Sequence, residues 1–173
     1  MYLKDIAERT IQPAIGKKTL IAHRYITPNI INEILKVDKT AFRDVARFMN
    51  EIHYKGLEDL SRKLHAFVRA NISYVEDPLG EQFIKTPAAT WKDKFADCKG
   101  YSIFLGSCLK SIGIPYSYRF VSFKQVPRYT HVYVITHGLN GNYIIDCCLP
   151  EFNTEKPYTY KKDYKMEGLY RIE

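Results

Sequence analysis

Cys98, His131 and Asp146 are the three residues in this chain whose types and surroundings could do chemistry together. Cys98 follows Asp97, a residue type that caps helices, and it opens a run with helical periodicity. A sulfur at a helix start faces unpaired backbone N–H groups and the positive end of the helix dipole, both of which favour an anion. A thiolate is such an anion, and Lys99 beside it adds positive potential. The same N–H groups can receive the oxyanion formed when a thiolate attacks a carbonyl. Such a nucleophile needs a base and a group that orients the base. His131 and Asp146 supply those types, on two consecutive strand-like runs.

The two runs must pair in a register that brings imidazole and carboxylate together. An antiparallel register in which paired numbers sum to 277 sets His131 opposite Asp146 and centres the connecting loop on Gly138-Leu139. The competing signal is Asn140-Gly141, a strong two-residue turn. It implies a sum of 281 and leaves Asp146 opposite Ile135, about 13 Å from His131 along the strand. The first register is the expectation here.

The elements that must position these residues are legible in outline. Thr27-Pro28 reads as a helix start leading into Ile30, Ile31, Ile34 and Leu35. Asp38 reads as the cap of a second helix, and a third spans 57–70. Ile72–Val75 reads as a short strand, Asp77-Pro78-Leu79-Gly80 as a turn, and 80–97 as an irregular approach. The helix from Cys98 carries Tyr101, Leu105, Cys108, Leu109 and Ile112 on its apolar stripe, and Gly113 with Pro115 ends it. Three strands follow, at 116–123, 130–136 and 142–148. The pattern is α+β with an antiparallel sheet.

The segment Asp97-Cys98-Lys99-Gly100, with Leu105, Cys108-Leu109 and Ser111-Ile112-Gly113-Ile114-Pro115, resembles the nucleophile helix of the transglutaminase-like superfamily. His131-Val132-Tyr133-Val134 and Tyr143-Ile144-Ile145-Asp146 resemble that family's histidine and aspartate strands, in the same order. The resemblance covers about residues 60–150. It implies a papain-like α+β core in which the nucleophile helix packs on an antiparallel sheet, with Cys98 as nucleophile, His131 as base and acid, and Asp146 as orienter. The implied reaction is hydrolysis or transfer at an amide bond through a thioester, with no metal or cofactor. Trp91 and Gln82 are the candidate oxyanion-hole donors. The sequence departs from the family at Ala96, where the family has Gly, at Gly100, where it has an acid, and at Cys147, where it has Pro. The stretch from Asn71 to Phe123 also resembles transglutaminase-like proteins encoded among virion genes of tailed phages. That resemblance implies a structural alternative, a ring, neck or head-tail connector component with a retained fold.

Length and composition bound the alternatives. The chain has 173 residues, of which 46% are hydrophobic and 26% charged, as in a globular domain and unlike a disordered one. No apolar run approaches a membrane span, and no apolar leader opens the chain. The expectation is therefore a cytoplasmic protein, or a virion protein under the alternative. The net charge of +7 is scattered rather than clustered, so nucleic acid is not an expected partner. A protein or peptide amide is the expected substrate, and a homo-oligomer or virion proteins are the other partners to consider. Four cysteines without a CxxC pair argue against a disulfide scaffold and a structural zinc site. Three segments are expected: a helical N-terminal extension (1–56), the core (57–153) and a Tyr/Lys-rich arm (154–173).

Overall fold

The computed structural model describes residues 2–168; Met1 and residues 169–173, the end of the expected arm, lie outside the described residues. Six helices are described: α1 (Tyr2–Thr10), α2 (Pro28–Ala41), α3 (Ala46–Asn50), α4 (Leu57–Asn71), α5 (Pro87–Asp93) and α6 (Cys98–Ser111). The strands are β1 (Lys18–Ala22), β2 (Ser73–Tyr74), β3 (Glu81–Lys85), β4 (Phe95–Ala96), β5 (Tyr116–Ser122), β6 (His131–Gly138), β7 (Gly141–Ile145) and β8 (Tyr160–Met166). The last four form an antiparallel sheet in the order β7-β6-β5-β8. β1 pairs antiparallel with β3, and β2 pairs in parallel with β4. The molecule is α+β, as its sequence pattern predicts.

α6 is the hub. It packs on β5 and β6 on one side and on α2 and α5 on the other. That explains why Cys98 through Leu109 are all buried, far more than an amphipathic surface helix requires. Gly106 permits the close approach, because a Cβ there would collide with the Tyr118 hydroxyl. Ser102 Oγ donates to the Val132 carbonyl at 3.1 Å and fixes α6 against β6.

The N-terminal region does not stand apart. Ile6, Ile30, Ile34, Phe48 and Met49 share one core with Leu64, Phe104, Leu109 and Val134. β1, which falls within a segment read as helical, pairs with β3 across the irregular approach. At the other end β8 adds an edge strand to the main sheet. A boundary at residue 56 is therefore not a packing boundary. Asp38 does not cap a helix. It lies inside α2, fully buried, where it accepts hydrogen bonds from Tyr116 and Tyr118 and pairs with Lys110 Nζ at 2.8 Å. A buried carboxylate needs such partners. No helix among the described residues is long and apolar enough to cross a membrane.

Candidate active site

Cys98 is the first residue of α6, and Asp97 is its cap, as expected. The Asp97 side chain accepts from the backbone N–H of Lys99 at 2.9 Å and of Gly100 at 3.2 Å. Lys99 is not a free cation beside Cys98. Its side chain is buried and pairs with Asp97 and with Asp77 Oδ2, the latter at 3.1 Å. Two carboxylates thus share one ammonium. Burial, together with the Asp77 charge, pushes the Asp97 carboxyl up against the pull of Lys99. Burial also works against the Lys99 charge, but the carboxylates of Asp97 and Asp77 outweigh it and raise its pKa. Asp77 also accepts from the Phe83 N–H at 2.7 Å, tying the turn before β3 to the start of α6.

His131 is the first residue of β6, and its Nε2 lies 2.7 Å from Asp146 Oδ2. The register that achieves this is neither of the two weighed from sequence. Val134 pairs with Ile145 and Gly138 with Gly141, so paired numbers sum to 279. The turn is Leu139-Asn140, with Gly141 at φ 139° taking the conformation other residues avoid. β7 ends at Ile145. One more step of the ladder would set Asp146 against Tyr133, two residues from His131 and on the same face. The His131–Asp146 contact is thus a diagonal pair, which a long side chain can span.

The Cys98 side chain acts on the same ring. Burial alone would keep the ring neutral, but the hydrogen bond to Asp146 and the neighbouring Cys98 outweigh it, and the His131 pKa is pushed up to about 10, a direction that favours the charged ring. Asp146 is itself anchored, since its Oδ1 accepts from the Cys148 N–H at 3.0 Å.

Two adjoining clefts meet here. Cys98 lines one of about 230 Å³, together with Gln82, Tyr74, Glu76 and Thr130. His131 and Asp146 line another of about 400 Å³, which shares Tyr74, Glu76 and Thr130. Gln82, on β3, is thus in the Cys98 cleft. Trp91, the other candidate donor, is buried in the core, where its ring stacks on Phe67 at 5.6 Å. It lines neither cleft and serves packing. Tyr74, in the two-residue β2, and Thr130, just before β6, are walls of the site that the sequence does not mark, since neither sits in a motif. Among the described residues, the donors that converge most tightly for a metal are His131, Asp146 and Cys148, within 4.8 Å of one another. Imidazole, carboxylate and thiolate are ligands zinc takes, but here the first two already hydrogen-bond each other.

Ala96 and Gly100 are sterically coupled. A Cβ on Gly100 would lie 2.6 Å from the Ala96 Cβ, so a side chain at 96 excludes one at 100. Thr90 Oγ1 is 3.5 Å from that same position, buried and without a hydrogen-bond partner.

No family model matches the chain, and no curated protein matches it. Among solved structures it is similar to a crystal structure of a “putative cysteine protease” from Cytophaga hutchinsonii, at 11% identity and a TM-score of 0.43. The match covers 87% of this chain and 63% of that one, so this chain spans less than two thirds of its length.

Proposed function

We propose that this chain is a cysteine-dependent amide hydrolase or acyltransferase with a papain-like, transglutaminase-like core. Cys98 is the nucleophile, His131 the proton carrier and Asp146 the orienter. The observation that carries the reading is the 2.7 Å contact between His131 Nε2 and Asp146 Oδ2, made where their cleft adjoins the one that Cys98 lines. The sulfur attacks the amide carbonyl and forms a C–S bond. The carbonyl electron pair moves to oxygen, toward the Cys98 backbone N–H and the Gln82 amide. When the tetrahedral intermediate collapses, the C–N bond breaks and His131 protonates the departing amine. Water or a second amine then attacks the thioester, His131 takes its proton, and the thiolate leaves.

The test is alkylation of the folded protein with iodoacetamide, followed by mapping of the modified cysteine. Cys98 should react fastest of the four, because burial pushes the thiols of Cys108, Cys147 and Cys148 up. An unreactive Cys98 in the folded protein overturns the reading.

A further inference from the structure

We infer that the site proposed above takes a peptide amide bearing an aromatic or large aliphatic side chain next to a carboxylate, and that a neighbouring cavity reads that pair. This rests on the amide-cleaving reading and deepens it.

The cavity has a volume of about 450 Å³ and lies between the β1–α2 connection, the β5–β6 loop and β8. That is within the range of about 300–1,000 Å³ typical of sites for small organic groups. Tyr25, Ile31, Tyr129 and Tyr164 give it an apolar, aromatic lining. Every charged or titratable side chain around it other than tyrosine is basic: His23, Arg128 and Lys162. The Cys98 cleft next to it differs, since its charged lining is mixed: Glu76, Asp77 and Asp97 with Arg24 and Lys99.

Two observations join the cavity to the chemistry. Tyr25 and Ile26 line both it and the Cys98 cleft. A chain lying across residues 25–26 therefore presents a carbonyl to one side and a side chain to the other. The shared wall is also held in place. Ile26 is buried, and its N–H donates to the Tyr129 carbonyl at 3.0 Å. The rings of Tyr129 and Tyr164 both pack edge-on against the buried Phe120, at 6.5 and 5.7 Å. A preformed wall of this kind costs little ordering on binding. Arg128 and Lys162 are exposed, and their charges lie 5.4 and 5.2 Å from the rings of Tyr25 and Tyr164. They are placed to meet a carboxylate beside a ring seated in the cavity, and to repel a cation there.

The experiment uses the full chain carrying Cys98→Ala, so that nothing is turned over. It is titrated with capped peptides containing Phe-Glu, Phe-Lys or Ala-Glu, with binding read by calorimetry. Phe-Glu should bind at least tenfold tighter than either of the others, and added salt should narrow the gap to Phe-Lys. The double variant Arg128→Glu with Lys162→Glu, at two exposed positions, should erase or invert the preference for Glu over Lys. Equal binding of the three peptides, no binding of any, or a preference that survives charge reversal overturns the inference. Self-association abolished by the charge reversal would assign the cavity to a second copy of the chain and overturn it as well. Iodoacetamide mapping of the unmodified protein keeps the two readings apart. A reactive Cys98 without peptide preference sinks only the specificity, whereas an inert Cys98 sinks the amide chemistry beneath it.

Discussion

α6 carries two cysteines, and they have opposite fates. Cys98, at the helix start, borders a cleft that adjoins the one His131 lines. Cys108, further along the same helix, is wholly buried among apolar groups, and burial pushes its thiol far up. The residue type is the same and so is the helix. What differs is the end of the helix on which each sits and what it meets there. On the proposed reading the position, not the residue type, sets reactivity: Cys98, though itself largely buried, has a cap, an imidazole and a cleft beside it.

The contrast can be broken most sharply by exchanging its ends. Cys98→Ser should abolish amide turnover, and alkylation of the folded variant should fall to the background of the buried thiols, about 10²-fold or more below the unmodified protein. Cys108→Ala should leave both readouts in place and cost only stability. The next largest effect belongs to the imidazole. Asp146→Asn removes the carboxylate partner and should lower turnover by about 10²–10⁴-fold. Without Asp146 the desolvation of His131 is no longer outweighed to the same degree, so its pKa should fall from about 10. Histidine NMR titration reads that shift directly, and a His131 pKa unchanged by Asp146→Asn would contradict the assignment.

Stability carries the same signature. The His131 pKa is raised above its ordinary value. Its contribution is therefore fully present below the unfolded-state pKa of about 6.5 and is lost as pH rises through the folded value. Denaturation midpoints measured from pH 6 to 10 should fall across that window by more in the unmodified protein than in Asp146→Asn. A smaller effect sharpens the helix start. Gly100→Asp should cost about 1–3 kcal/mol through overpacking against Ala96. Adding Ala96→Gly should recover most of it, because the space is freed and the unpartnered Thr90 hydroxyl gains an acceptor. The smallest expected effect is at Cys147→Ser, buried beyond Asp146, which should leave labelling of Cys98 unchanged.

Local signals carried much of this structure. The Thr27 and Asp97 caps, the Gly113 stop at φ 79° and the turn before β3 are all set by residues within a few positions of one another. The strand register was less legible. The Asn140-Gly141 pair advertised one turn and the His–Asp pairing another, and the chain adopted the register between them. Gly138 and Gly141 flank the two turn residues, while Leu139 is left fully exposed at the tip. Hydrophobic pattern alone does not foresee an apolar residue there. β1 was hidden because its partner β3 is distant in sequence and its side chains are mostly exposed, leaving no clear alternation to read. Asp38 looked like a cap because buried carboxylates are rare; its partners come from β5 and α6, which sequence proximity does not connect. Of the candidate site, the place of Cys98 at a helix start and the approach of His131 to Asp146 are legible from residue order and strand parity. The neutralisation of Lys99 by Asp77 was not, since it depends on how the turn folds back.

The two-residue pairing of β2 with β4 has a mechanical consequence. Ser73 N–H donates to the Lys94 carbonyl at 2.8 Å and Val75 N–H to the Ala96 carbonyl at 3.0 Å, a clasp on each side of Tyr74. The segment that divides the two clefts is therefore stapled to the segment that leads directly into Cys98. Sulfur and partition are thereby joined through backbone, whereas the exposed 123–128 loop across the opening is tied to the sheet through hydroxyls, by Ser122 Oγ to the Val126 carbonyl and Thr159 Oγ1 to the Lys124 carbonyl.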